Sequence, residues 1–362
     1  MDIALRRPRL PLHPDQCDQP AAAPPDAAEV VIDHPRPADA AGVAACFRAV
    51  YGEAYLHPDV YDPARYLADI ARGDLIAVVA RDQGGAVVGH LALEMGPGPA
   101  VAERGEAVVL PAWRGRGLLE RMTERLFVDG RQKGLAGIYA APLTIHVFSQ
   151  KNDAHANMPT CAVLLGVEPE ESHPSGLPFP TAGQRQSYLR AFRYLAPPTP
   201  RAVGPAGPYA DVVRNLFGVL GAKVVPAGAS VMPAPTRLAA MPSPRGYAHV
   251  TVESIGRDIG GAIASSLAEL ALKGARTVRL SLPLASDDLG RAIVAARALG
   301  FFFSGLGPGF SGDADVLELQ RLSEPLDTRK LQILTDQTRA LLEFVEGDRS
   351  SVVQRDLESR SS

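Results

Sequence analysis

The chain has 362 residues, 46% of them hydrophobic, three cysteines and a net charge of −3. That length allows two domains of ordinary size with real cores. The charge balance excludes a basic nucleic-acid footprint, and the lack of any apolar run of about 18 residues or more excludes a membrane-spanning helix. The opening MDIALRRPRLPLHPDQ has charges without an apolar stretch behind them, so it does not read as a secretory signal. Cys17, Cys46 and Cys161 lie far apart and give neither a metal spacing nor a disulfide framework. This suits a reducing, cytoplasmic compartment and no bound metal.

Residues 1–28, rich in Pro, Ala and Asp, read as a disordered tail. A short β run at 29–33 opens the ordered chain. Pro37 starts a helix over 38–50, and Asp62-Pro63 starts a second that stops at Gly73. The loop between them carries Tyr51, Tyr55, His57 and Tyr61. Strands at 75–81 and 86–94 form a hairpin around Asp82-Gln-Gly-Gly85, and a strand at 106–110 ends at Pro111. After Trp113-Arg-Gly-Arg-Gly-Leu-Leu119, apolar residues at helical spacing predict a helix to about Lys133, closed by Gly134. A strand at 138–148, a short helix at 149–157 and strands at 161–167 and 185–195 follow.

Residues 197–208 are a Pro-rich linker and mark a domain boundary. Beyond it the pattern predicts a helix at 209–220, a loop at 226–245 and a strand at 247–253. A helix at 259–273, a strand at 277–282 and a helix at 287–299 come next. Strands at 301–305 and 316–322 and a helix at 326–346 complete the reading. This order repeats that of 106–195, so the chain reads as one fold used twice, over 29–196 and 209–348, with a tail at 349–362.

The chemistry concentrates between Ala107 and Leu119. A strand, a glycine-rich turn and a helix present unpaired backbone N–H groups and the positive end of a helix dipole to an anion. Gly115 and Gly117 let a pyrophosphate reach the backbone, and Arg114 and Arg116 add charge. The segment Ala107-Val-Val-Leu-Pro-Ala-Trp-Arg-Gly-Arg-Gly-Leu resembles motif A of the GCN5-related N-acetyltransferase (GNAT) superfamily, and the resemblance covers roughly residues 29–195. It implies two mixed α+β domains, each a mostly antiparallel sheet flanked by helices. It further implies an acyl-coenzyme A co-substrate such as acetyl-CoA. Ala107, Val108 and Val109 would then contact pantetheine, and Arg114, Gly115, Arg116, Gly117, Leu118 and Leu119 would cradle the pyrophosphate.

Two positions depart from the family pattern. Leu119 replaces a small residue, and Ala154 stands where the family often carries a tyrosine acid. Acid–base candidates are therefore sought elsewhere: His146 at the end of the strand opposite the splay, Glu94 and Glu106 on strands flanking the cleft, and Ser149, which either caps the short helix or meets the thiolate. Strand alternation puts Glu106 on the opposite face from Val109. In the family the loop holding Tyr51, Tyr55, His57 and Tyr61 lines the acceptor pocket. At the corresponding turn of the second domain, Glu253-Ser-Ile-Gly-Arg-Asp-Ile-Gly-Gly261 displaces the glycines and adds Asp258, so that domain is expected to have lost the cofactor site.

The expectation is an N-acyltransferase acting on an amine of a small molecule or peptide, with a homodimer allowed. Two alternatives stay open: a non-catalytic acyl-CoA-binding protein, and the same fold with altered acyl-CoA chemistry.

Overall fold

The computed structural model describes residues 30–53, 55, 57–96, 100–170, 183–228, 235–312 and 314–361. The expected tail at 1–28 and residues 229–234 of the expected loop lie outside them. The first half runs β1 (Val31–Asp33), α1 (Ala40–Tyr51), α2 (Pro63–Arg72), β2 (Leu75–Arg81), β3 (Val87–Met95), β4 (Val101–Val109), α3 (Leu118–Lys133), β5 (Gly137–Ala140), α4 (Phe148–His155), β6 (Thr160–Glu168) and β7 (Gln186–Tyr194). The second runs β8 (Arg201–Val203), α5 (Ala210–Val219), β9 (Val224–Pro226), β10 (Arg237–Pro242), β11 (Tyr247–Ser254), α6 (Ile259–Leu272), β12 (Thr277–Pro283), α7 (Leu289–Ala298), β13 (Phe302–Ser311), β14 (Ala314–Leu322) and α8 (Asp336–Ser361).

Local chemistry explains the punctuation. Asp62 accepts hydrogen bonds from the amides of Ala64 and Arg65, Pro63 occupies the first turn, and Gly73 leaves α2 at φ +78°. Helix α3 starts after Gly117 at φ +67° and ends at Gly134 at φ +85°. Its apolar stripe, Leu118, Met122, Leu126 and Phe127, packs on Val78, Leu91, Leu93 and Ile138 of the sheet. On the other sheet face, Phe47 of α1 and Tyr66 of α2 pack on Val79 and Ala92. Fully burying one such large side chain stabilises by about 1.5–3 kcal/mol.

Among the described residues, twelve strands form one sheet in the order β1-β2-β3-β4-β5-β7-β6-β13-β14-β12-β11-β10, in which only β4–β5 and β11–β12 pair in parallel. The run β3-β4-β5-β7-β6 is repeated as β10-β11-β12-β14-β13, and the two halves join edge to edge where Ala162 of β6 pairs with Gly305 of β13. In the second half α5, α6, α7 and α8 all share a core with Val250, Leu280, Leu317 and Leu319. Those helices therefore cover one face. Alternation turns His249, Arg279, Glu318 and Gln320 to the other.

Several elements differ from the sequence expectation. Strand β4 begins at Val101, five residues earlier than expected, because Glu103 and Glu106 interrupt the apolar pattern. The strand expected at 138–148 stops at Ala140; Pro142 follows, and Leu143 bridges to Tyr188 of β7 instead. The expected linker contains β8, which pairs in parallel with β9 in a two-stranded sheet. Residues 326–335 precede the last helix. Asp327 caps a turn at Thr328–Lys330 there, and Gln332 and Leu334 bond to Thr144 and Gln150. That helix then continues to Ser361, through the segment expected as a tail. Among the described residues no helix is long and apolar enough to cross a membrane.

Candidate active site

The site begins where two strands part. Val101, Ala102 and Glu103 of β4 pair with Gly137, Ile138 and Tyr139 of β5, which then ends, while β4 runs on to Val109. The Leu110 amide donates to the Val88 carbonyl, so Val109, one residue out of phase, turns its own amide toward the side that β5 has left. Helix α4 is fixed beside this gap by Arg104 of β4, which is ion-paired with Asp153; both side chains are buried.

The turn after β4 is open. Gly115 and Gly117 sit at φ +74° and +67°, conformations that favour glycine, and no atom crowds the space beside Gly115. No side chain caps α3 at Gly117, so the first-turn amides face outward. Arg114 donates from Nε to the Val109 carbonyl at 3.2 Å, and Arg116 lies over the Trp113 ring with Nη2 at 2.8 Å from the Ala112 carbonyl. Leu118 is buried in the core, and Leu119 packs against the same cluster. The bulk of Leu119 is therefore taken up by core packing.

Between the pairs His90–Val108 and Ala92–Gly105, Leu91 opposes both Glu106 and Ala107, which is a β-bulge. Glu106 adopts φ +48°, a strained conformation for a residue with a Cβ. His90 holds it there: Nδ1 lies 2.7 Å from the Glu106 carbonyl and Nε2 lies 3.1 Å from the Tyr66 hydroxyl. A carbonyl only accepts, so Nδ1 carries the proton and Nε2 accepts from Tyr66. Burial drops His90 to about 4, which keeps the ring neutral. Despite the extra residue, Val109 packs on the α3 side while Glu106 meets the charges of Asp59 and Asp69 on the α2 side, so the two lie on opposite faces as alternation expects.

Three carboxylates meet around the bulge. Glu94 and Glu103 are direct cross-strand neighbours, and the Glu94 carboxylate lies where a Cβ on Gly105 would be. Tyr139 hydrogen-bonds to Glu103, and His57 Nδ1 lies 3.6 Å from Glu94 Oε2. Glu106 Oε2 is buried without a hydrogen-bond partner. Burial pushes Glu94 up to about 7. Burial and then the negative charges of Glu94, Asp69 and Asp59 push Glu106 up to about 8. Burial and Glu94 raise Glu103 as well. Perturbed carboxylates of this kind concentrate at functional sites.

The aromatic loop borders this group. The Tyr51 and Tyr55 rings are 5.0 Å apart, and Tyr55 and His57 are 5.9 Å apart. Burial, Tyr51 and then the three glutamates raise the Tyr55 phenol well above its usual range. Tyr51 donates to the Ala107 carbonyl at 3.1 Å, linking the loop to the β4 edge. Tyr61 is a strut: its hydroxyl accepts from the Tyr55 amide at 3.1 Å, and Arg48 stacks over its ring.

Other expected residues fall elsewhere. His146 lies past β5 in the turn before α4, 5.5 Å from the Phe148 ring, with its carbonyl taking a bond from Gln150. It is not on a strand. Ser149 is the second residue of α4, Val147 occupies the N-cap position, and no side chain caps that helix. The capping reading therefore fails. Glu103 and Tyr139 were not among the expected residues. Their one signal in the sequence is two polar groups inside stretches otherwise suited to strands. Among the described residues no group of three or more His, Cys, Asp or Glu side chains is arranged to hold a metal ion.

The equivalent turn of the second half is filled by the chain itself. The Thr236 amide donates to Asp258 at 2.7 Å, and the Gly256 amide donates to Thr236 Oγ1 at 3.0 Å. Pro235 and Thr236 back directly onto Gly256.

No described protein family and no curated protein matches the chain. Solved structures match it over about half its length. An N-acetyltransferase from Staphylococcus aureus Mu50 is 16% identical, with 46% of this chain and 99% of that one covered and a TM-score of 0.39. The Salmonella typhimurium protein yncA, solved with its cofactor acetyl-CoA, is 18% identical, covering 46% and 95% at a TM-score of 0.37. A GNAT-family protein from Desulfovibrio desulfuricans is 16% identical, covering 46% and 99% at 0.35.

Proposed function

We propose that the chain is an acyl-coenzyme A-dependent N-acyltransferase, acetyl-CoA being the simplest donor, whose co-substrate site lies in the first half. The observation that carries this reading is the continuity of three features: a β4 edge left open by β5, a glycine turn with clear space, and the uncapped start of a helix 16 residues long. Pantetheine amides would pair with the β4 edge at Ala107 to Val109, as an added strand does. The pyrophosphate would accept from the amides between Arg114 and Leu119, with the helix dipole aiding.

This pose puts the thioester beside the bulge, facing the carboxylates and the tyrosine loop. The amine nitrogen attacks the thioester carbonyl, the C–S bond breaks, and coenzyme A leaves as a thiolate. The amine must lose a proton, and Glu94 is suited to take it: it is a quarter exposed, and its carboxyl is poised near neutrality. Glu103, the cross-strand neighbour of Glu94, holds the ammonium form close before attack, while Glu106, pushed up to about 8, stays largely protonated near neutral pH. Tyr51, Tyr55 and His57 would border the acceptor. A plain binding protein has no use for three clustered carboxylates with raised pKa at the reacting end, so the cluster favours catalysis over a scaffolding role.

Turnover of acetyl-CoA with amines, read as free thiol, tests the proposal. Glu94→Gln is expected to lower turnover about 100-fold or more while leaving coenzyme A affinity unchanged, as for loss of a general base. The wild-type rate should rise as pH passes about 7, where Glu94 ionises. A Glu94→Gln protein with full turnover would remove Glu94 from this role, and no turnover with any amine would count against the reaction.

A further inference from the structure

The polar face of the second half is built around a row of residues in register. Arg190 of β7, Ala162 of β6, Gly305 of β13, Glu318 of β14, Ser281 of β12 and Thr251 of β11 are successive cross-strand partners. A Cβ on Gly305 would strike Ala162, so nothing stands between Arg190 and Glu318, and their side chains meet at 3.0 Å. Arg279 Nε lies 3.7 Å from the other Glu318 oxygen, and Arg279 Nη2 donates to His249 Nδ1 at 3.0 Å. His249 Nε2 must then carry the proton; it lies 2.7 Å from Ser281 Oγ, which donates to Glu318 at 2.8 Å. A serine that donates to a carboxylate is not activated by the histidine, so this is no hydrolytic triad. Two guanidiniums face one carboxylate and a neutral imidazole. The row therefore carries a surplus positive charge.

That row touches the acceptor side of the first half. The β13–β14 hairpin folds back so that Gly309 meets Val101 of β4 and the Phe310 ring lies 4.8 Å from Tyr139. The Arg190 guanidinium lies 4.3 Å over Phe310. Contacts thus run without a break from Glu103 through Tyr139, Phe310, Arg190 and Glu318 to Arg279. In a flat sheet β4 and β12, six strands apart, would be roughly 30 Å apart. Here the β13–β14 hairpin closes that span, with Phe310 against Tyr139 on one side and Arg190 on the other. Arg190 is spent on Glu318 and Phe310. Arg279 is held more loosely: its buried Nε faces Glu318 at 3.7 Å without a hydrogen bond.

We infer that the acceptor spans this seam, its amine among Glu94, Glu103 and Glu106 and an anionic group, carboxylate or phosphate, on Arg279. The inference rests on the acyltransferase reading and narrows it to amines that carry an acid. The full-length protein with acetyl-CoA is given ω-amino acids from glycine to 6-aminohexanoate, aminoalkyl phosphates, and plain alkylamines of matching length. Thiol release is followed, and binding of each probe to the coenzyme A-loaded protein is measured calorimetrically. At one chain length or more, the acid-bearing amine should exceed its plain partner in kcat/KM by roughly tenfold or more, the scale of one charge-assisted bond. The better acid class identifies carboxylate or phosphate. Arg279→Gln should bring that ratio to about one, and Arg279→Lys should restore part of it. Equal rates for both classes, or a preference that survives Arg279→Gln, would overturn the inference. If no amine releases thiol, the reaction is wrong and binding alone decides this point. Acid-bearing amines that bind wild type but not Arg279→Gln support the seam site, and no binding of any such amine sinks it.

Discussion

Glu106 shows how one residue can combine strain and misplaced charge. Its positive φ, its buried carboxyl and its unpartnered oxygen all weaken the fold, and His90 and Tyr66 hold it in place. Its carboxyl titrates near 8 in the folded chain and near 4.5 as a free side chain. The folded state therefore holds the proton more tightly. That stabilises the fold below about pH 4.5, and the contribution is lost as pH rises through about 8. Glu106→Gln keeps the neutral shape at all pH values. Melting curves should show this variant more stable than wild type at pH 8 to 9 and nearly equal at pH 4 to 5. Equal stability at both ends would mean that Glu106 does not carry a raised pKa.

At the scale of elements, the legible parts of the sequence were those with punctuation. Asp62-Pro63, Gly73, Gly117 and Gly134 bound their helices within a residue of the expected places. The beginning of β4 was hidden, because Glu103 and Glu106 break the apolar alternation that marks a strand. The end of β5 was hidden for a related reason: Leu143 to Phe148 has the composition of a strand, but its pairing edge is given up to open the splay. His146 was misplaced with that strand. The glycine turn, Glu94, Tyr51 and Tyr55 could be read locally. Glu103 and Tyr139 could not, since their importance arises only when β3, β4 and β5 lie side by side.

At the scale of the whole molecule, two copies of one strand order share a single sheet, joined at one strand pair and by a buried ion pair across it. Sequence order alone suggested the repeat, but the edge-to-edge junction depends on Ala162 and Gly305 being small, a match between residues 143 positions apart. Burial alone would raise the Glu318 carboxyl, yet Arg279 and Arg190 outweigh it and hold it at about 2. Removing the shared carboxylate leaves both buried guanidiniums without their counter-charge. Glu318→Leu should therefore cost about 3–5 kcal/mol in urea unfolding, and adding Arg190→Met should recover part of that loss. Independent, additive effects of the two substitutions would show that the pair does not join the halves.

The claim at the centre of this account is that a single acyl-coenzyme A site exists, in the first half, at the turn from Arg114 to Leu119. Calorimetric titration of coenzyme A into the full-length chain tests it most directly, with Gly117→Val alongside. A β-branched side chain at φ +67° would strain the turn and cover the amides. One equivalent should bind per chain, with no binding to Gly117→Val in a folded protein. No binding to the wild type, two equivalents per chain, or full binding to Gly117→Val would contradict it.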